Sequence, residues 1–190
     1  MIFREVEDRD LILEARKGSG PKCVEAYNLL VSRWEKKVYN YILRLVRNRE
    51  DALDLTQDVF LKAYQNLSKL EDPARWSSWL FRIAHNESFS LMRKNRPDGN
   101  ELTVDPASGE AADRLFPLEM AMAVERALGR LNPDQREAVV LKIYQGFKFE
   151  EMAQILDEPV STIKSRVYAA LDLLKDALAP LNAVASKGGK

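Results

Sequence analysis

One cysteine and one histidine, Cys23 and His85, are all that 190 residues offer to thiol or imidazole chemistry. A disulfide within the chain is therefore impossible, and a Cys/His zinc site of ordinary ligand count cannot be assembled. Long apolar runs are also missing, none approaching the roughly 20 residues that cross a bilayer. The opening stretch, MIFREVEDRDLILEARKG, is charged throughout and has no signal-peptide apolar core. No membrane insertion and a cytoplasmic location are the expectation. A glycine-rich loop to cradle phosphate is absent, as is an acidic pair spaced for a metal, so no catalytic residues, metal or cofactor are expected. Strand-rich segments, internal repeats and low-complexity tracts do not occur.

Net charge is absent too, since 29 Lys and Arg face 29 Asp and Glu, which excludes a uniformly cationic DNA-coating protein. The balance hides a pattern. Residues 1–96 carry 18 basic side chains against 14 acidic ones, residues 97–121 one against six, and residues 122–190 ten against nine. Attraction to phosphate must then come from local patches.

What is present is helical periodicity nearly everywhere outside one segment. Val6–Lys17 places Leu11, Ile12 and Ala15 on one face and stops at Gly18-Ser19-Gly20-Pro21. Cys23–Val46 repeats Ala26, Leu29, Leu30, Trp34, Val38, Tyr41, Ile42 and Leu45 at helical spacing, and Glu50–Leu67 repeats Ala52, Leu55, Val59, Phe60, Ala63 and Tyr64. After a break at Leu70–Pro73 a further helix is expected over Arg75–Lys94. Arg96–Phe116 then loses all period while gaining prolines, glycines and acids, too few apolar groups to offset the entropy of ordering. Helical pattern resumes at Glu119, and Asn132-Pro133-Asp134-Gln135 combines an N-cap, a proline at the first helical position and a Gln three residues past the cap. The expected architecture is all-α. Two small helical domains, 1–96 and 119–179, are joined by a flexible acidic linker (97–118) and followed by a disordered tail (180–190).

Two segments carry the chemistry. In Phe149–Leu174, a short helix over Glu150–Leu156, a turn at Asp157-Glu158-Pro159 and a second helix capped by Ser161 make a helix-turn-helix. Ile163, Val167, Ala170, Leu171 and Leu174 form the apolar side of the second helix. Thr162, Lys164, Ser165 and Tyr168 face away, with Arg166 at the flank, and such side chains suit phosphates and base edges. An ordinary helical hairpin with a solvated polar face would share this pattern. The second segment, residues 75–96, holds five basic side chains, one acid and the aromatics Trp76, Trp79, Phe81 and Phe89. Rings offer faces to unpaired bases while cations such as Arg75, Arg82, Arg93 and Lys94 hold the backbone. Asn86 can bond a base edge in both directions, and His85 beside it is a candidate contact. Trp79 shares core spacing with Leu80, Ile83 and Ala84, leaving Trp76 as the stacking candidate.

These segments, in this order, resemble the extracytoplasmic-function sigma factors of bacterial RNA polymerase, over about residues 8–178. EDALDLTQDVFLKAYQNL (Glu50–Leu67) resembles the family's docking helix for the clamp of the largest polymerase subunit. WSSWLFRIAHNES resembles its promoter-melting and minus-ten helix, and LNPDQREAVVLKIYQGFKFEEMAQILDEPVSTIKSRVYAAL its minus-thirty-five domain. The resemblance implies polymerase contacts at Asp54, Leu55, Gln57, Asp58 and Phe60. It implies a flipped minus-ten base at Asn86, a specificity loop over Leu70–Arg75, and a major-groove face at Lys164, Ser165 and Tyr168. Implied partners are core polymerase (clamp and the flap of the second-largest subunit), promoter DNA and an anti-sigma factor. The chain departs from the family pattern at three places. Val-Tyr-Ala-Ala-Leu-Asp follows Arg166 where arginines are common, Lys148 stands where a small polar cap is usual, and Glu71-Asp72 makes the loop acidic. The alternatives are a helix-turn-helix regulator that does not join polymerase, which needs no docking helix, and an enzyme on nucleic acid, which the missing catalytic groups disfavour.

Overall fold

The computed structural model describes residues 6–18, 20–94 and 118–185, and among these only helices and tight turns occur. Two compact units form, one from Met1–Asn100 with Gln154–Asp157, the other from Glu101–Ala153 with Glu158–Lys190. The expected linker lies outside the described residues except for Leu118, which already opens a helix.

In the first unit, α1 (Asp8–Ala15), α2 (Pro21–Val46), α3 (Arg49–Gln65) and α4 (Trp76–Lys94) pack with α2 at the centre. Proline at the first position of α2, following Gly20 at φ 114°, starts that helix where its missing N–H is harmless. One face of α2 is then wholly buried through Ala26, Leu30, Val38, Tyr41 and Ile42. Each such large aliphatic side chain contributes about 1.5–3 kcal/mol of transfer free energy. Asp8 ties α1 down, its carboxylate accepting from Arg33 Nη1 at 2.7 Å and from the Trp34 indole at 2.8 Å. Arg47, at φ 59°, ends α2, and Asn48 immediately caps α3 by accepting from the Asp51 N–H at 3.1 Å. Glu50 and Asp51 in the first turn of α3 complement its dipole. The passage from α3 to α4 runs through two single 3-10 turns, Leu67–Lys69 and Pro73–Arg75, the second capped by Asp72.

The second unit comprises α5 (Leu118–Gly129), α6 (Pro133–Val139) continued by a π-helical turn (Val140–Tyr144), α7 (Phe149–Leu156) except for its last three residues, and α8 (Val160–Ala185). The capping box read from Asn132 and Gln135 is present in both directions, at 2.8 and 3.3 Å. Arg136 closes the other end of the connection, its guanidinium donating to the carbonyls of Leu128, Gly129 and Leu131 at 3.0–3.3 Å. Two of those acceptors are carbonyls of the last turn of α5 and the third, Leu131, lies in the connection, so one cation ties the helix end to the loop that follows it. Leu128, Leu131, Val139 and Ala170 form the core beneath, joined by Val124 and Leu174.

Two boundaries differ from expectation. The last helix continues to Ala185, so the frayed tail does not begin at Pro180; Leu181, Ala183 and Ala185 are good helix formers. It also begins at Val160, with the Ile163 N–H donating to the Pro159 carbonyl at 3.1 Å, so Ser161 lies inside the first turn instead of capping it.

Candidate nucleic-acid interface

Helix α4 has two sides. Its buried side runs Trp76, Leu80, Phe81, Ala84 and Ser88, all 0–2% exposed. Trp76 is the first member of this stripe at i, i+4, i+8 and i+12, which removes its ring from any ligand. Trp79, read as core, is instead half-buried. The two tryptophans exchange roles because a one-turn helix start does not reveal which of two adjacent faces will meet α2. Leu70 is likewise buried, at 3% exposure, so its side chain is packing, while Glu71, Asp72 and Arg75 of the same loop are exposed.

The other side of α4 lines a cavity of about 320 Å³ together with the end of α3. Its walls are Trp79, Arg82, Ile83, Asn86 and Glu87 from α4, with Lys62, Asn66 and Lys69 opposite. The α4 members fall at helical spacing i, i+3, i+4, i+7 and i+8 from Trp79, hence on one face. Three cations and two amides therefore surround a floor of one indole and one isoleucine. Lys62 pairs with Glu87 at 2.5 Å across the helices. His85 is half-buried and packs on the Phe89 ring at 4.6 Å, away from this lining. Arg75 is exposed with a loose 3.9 Å approach to Asp72, and Arg93 and Lys94 are exposed in the last turn, where cations suit the helix dipole. The sequence-predicted set is thus only partly convergent: Arg82 and Asn86 meet in the cavity, the others do not. Lys62, Asn66, Lys69 and Glu87 were not foreseen, since they come together only when α3 packs on α4.

On α3, Asp54, Gln57 and Asp58 are exposed, whereas Leu55 and Phe60 are interior at 8% and 7% exposure. Burial corrects those two. Leu53 and Leu61, at 52% and 55%, are exposed on this helix and share a face with Gln57 at i, i+4 and i+8, with Asp54 and Asp58 beside them; Tyr64 is exposed nearer its end. An amphipathic count alone puts such leucines among surface exceptions.

In the second unit, α7 starts with half a capping box: the Glu151 carboxylate accepts from the Lys148 N–H at 2.7 Å, standing in for the missing polar cap. Asp157 takes a left-handed conformation (φ 55°), and the Glu158 N–H reaches back to the Ala153 carbonyl at 3.2 Å. This is a Schellman turn with Asp where Gly is usual. Beyond it Ser161, Lys164, Ser165 and Tyr168 are exposed on α8 and Thr162 is partly so. Phe149 underlies them: its ring is 6.4 Å from that of Tyr168, with Lys164 Nζ 5.6 Å and Lys142 Nζ 4.6 Å from its centroid. Arg166 differs. It donates to Glu158 at 2.9 Å and lies 3.8 Å from Asp134, so the acids of the turn and of α6 engage it within the domain.

Among the described residues no helix is long and apolar enough to cross a membrane, and no group of acidic, histidine or cysteine side chains is arranged to hold a metal.

The pattern of known proteins agrees with this arrangement. Sigma-70 region 2 matches residues 30–97, and Sigma-70 region 4 matches residues 121–174. The ECF RNA polymerase sigma-E factor of Escherichia coli is 30% identical, over 95% of this chain and 98% of its own. Among solved structures, CnrH in complex with the cytosolic domain of CnrY is similar with a TM-score of 0.69 at 26% identity, over 91% of this chain and 97% of that one. The sigma factor RpoE in complex with the anti-sigma factor NepR from Bartonella quintana gives 0.66 at 29% identity, over 80% and 96%. An α4 cavity inside region 2 and an exposed helix-turn-helix face inside region 4, on a chain matched along almost its whole length, make this protein a member of the extracytoplasmic-function sigma factors of RNA polymerase.

Proposed function

We propose that this sigma factor docks on core RNA polymerase through α3, holds an opened minus-ten strand at the Asn86 cavity, and reads a minus-thirty-five duplex through α8. It acts in the cytoplasm without a catalytic site of its own. The observation that carries the reading is the cavity itself. A ring floor for stacking, an amide for a base edge and surrounding cations for the backbone are the three things an unpaired nucleotide requires. Extruding a base costs a few kcal/mol of unstacking, which contacts of this kind offset. Asp54, Gln57 and Asp58 with Leu53 and Leu61 supply a mixed apolar and acidic face for the polymerase clamp. Region 4 offers a second contact, toward the flap of the second-largest subunit. Lys164, Ser165 and Tyr168 are exposed toward solvent where a major groove would lie. An anti-sigma partner is proposed because two similar proteins were solved with bound partners, one of them named an anti-sigma factor.

Transcription in vitro with bacterial core polymerase on a promoter library tests this. Promoter-dependent stimulation is expected, and Asn86→Ala should alter the preferred minus-ten base. Absence of stimulation would overturn the assignment to initiation, and an unaltered preference would remove Asn86 from base reading.

A further inference from the structure

Helix α1 supplies no wall of the Asn86 cavity, yet it touches both turns that bracket the loop before α4. Its apolar face, Leu11, Ile12 and Ala15, is interior and packs on α2, while Asp8 anchors its start to Arg33 and Trp34. The helix is therefore held at its first turn and along one side. At its C-cap Arg16 turns inward, and Nε donates to the Leu67 carbonyl at 3.1 Å, 51 residues away in sequence. That carbonyl also closes the first 3-10 turn, accepting from the Leu70 N–H at 3.3 Å. Further along the same loop, α1 packs against the second turn, Pro73–Arg75.

A cation at the end of a surface helix ordinarily keeps its head in water and near the last carbonyls of its own helix. Arg16 gives up that hydration, for its Nη2 is enclosed and meets no acceptor among the described residues. An enclosed donor without a partner is unfavourable, the more so on a charged group. The packing of α1 does not call for it, because Leu11, Ile12 and Ala15 already complete the apolar face. What the inward course of this side chain secures is the Leu67 carbonyl.

We propose that Arg16 is a positioning residue for the minus-ten site, and that α1 is a strut fixing the Leu67–Arg75 loop against α4. The inference rests on the proposed reading of the Asn86 cavity as the place of an opened strand. Single 3-10 turns have poor hydrogen-bond geometry and hold themselves weakly, so their placement has to be secured from outside. The apolar anchors of this loop are Leu67 and Leu70, both buried, and its polar anchor is the bond from Arg16. Asn66 and Lys69 reach the cavity wall from the first turn, whose Lys69 N–H donates to the Asn66 carbonyl at 2.9 Å. A shift at Leu67 therefore passes directly to two side chains of the site, and misplacement by about 1 Å is enough to degrade a preorganised one.

The test uses the full chain with bacterial core polymerase and compares the parent with Arg16→Met, Arg16→Gln and Arg16→Asn. Glutamine places its amide nitrogen where Nε of arginine lies along the side chain, so it keeps the bond to Leu67 without the charge. Asparagine is one methylene too short to reach, and methionine cannot donate. Well below the unfolding transition, affinity for fork-junction DNA with an opened minus-ten strand should fall about two- to tenfold in the Met and Asn variants, the net worth of one hydrogen bond. The Gln variant should stay close to the parent. Assembly with core polymerase and binding to a minus-thirty-five duplex should be unchanged in all three, and hydrogen exchange at the Leu70 amide should quicken in the Met and Asn variants alone. A uniform loss across core assembly, duplex and fork-junction binding would make Arg16 merely structural and overturn the proposal. Equal loss in the Gln variant would assign the effect to charge and overturn it too. Should Arg16→Met fail to fold, the contrast between Gln and Asn decides alone. If the parent complex binds fork-junction DNA no better than closed duplex, the reading of the cavity falls and the proposal with it. A parent that captures the opened strand beside an unaffected Arg16→Asn sinks the proposal alone.

Discussion

Helices α4 and α8 both present polar, cationic and aromatic side chains, yet they do so in opposite shapes. On α4 the functional groups line a concavity, because α3 lies alongside and contributes Lys62, Asn66 and Lys69 to the same space. On α8 the corresponding groups project from an exposed face, with Tyr168 at 58% exposure. A concave site can desolvate and enclose a single base, whereas a projecting face can enter a groove and touch many base pairs lightly. Cations are also spent differently. Arg82 and Lys69 line the α4 cavity, Arg82 also lying 3.6 Å from Asp157, while Arg166, the arginine of α8, is engaged by Glu158 and Asp134. The charge that a DNA-reading helix would direct at phosphate here stabilises its own turn.

The sharpest way to break the comparison is through the paired tryptophans. Trp76→Ala should destabilise the first unit by about 3–5 kcal/mol, as large core truncations do, and calorimetry of the full chain reads that as a lowered first transition. Little change in stability would return Trp76 to the surface. In the second unit, Arg136→Ala removes a charged donor from the carbonyls of Leu128, Gly129 and Leu131. A loss of about 1.5–3 kcal/mol is expected in chemical denaturation, with base preference at both promoter elements retained. Trp79→Ala should leave the fold intact and weaken capture of an opened strand by about 1–3 kcal/mol, the usual worth of one base–ring stack. Anisotropy of the polymerase complex on a fork-junction DNA measures it, and unchanged affinity would deny Trp79 a stacking role.

Smaller effects sharpen the contrast on α8. Glu158→Gln should release Arg166 from one partner and steepen the salt dependence of duplex binding by up to about one phosphate's worth. An unchanged slope would mean Arg166 stays bound to Asp134 and never reaches DNA. The smallest effect concerns pH. Burial pushes the Tyr27 phenol above its ordinary value of 10.0, and its hydroxyl donates to the Phe60 carbonyl. The unfolded chain therefore gives up this proton at lower pH than the folded one. Stability should be unaffected by this group below about pH 10 and decline above it. Tyr27→Phe should remove that alkaline decline, and its persistence would exclude Tyr27 as the source.

Helix positions were legible because burial enforces a 3.6-residue period: Leu11, Ile12 and Ala15 of α1 and most of the α2 stripe are interior as the spacing requires, with Leu29 and Trp34 half-buried. The capping box at Asn132 was equally legible, since it is a local arrangement of four residues. Errors fell where a side chain's fate depends on a second helix. Trp76 and Trp79 differ by less than one turn, and Leu55 and Phe60 belong to a core that the resemblance had assigned to a contact surface. Ser161 has the chemistry of a cap, but the chain re-enters helix one residue earlier.

The sequence by itself determined the all-helical class, the separation into two units and the order of their motifs, because period, caps and breakers act over a few residues and need no partner. Only the tertiary structure decided which residues share a site. The meeting of Lys62 with Glu87, of Asn86 with Lys69, and of Arg166 with Asp134 joins positions remote along the chain. Such meetings depend on how helices rotate about their axes when they pack, and a rotation of one residue's worth, 100°, exchanges a buried face for a functional one.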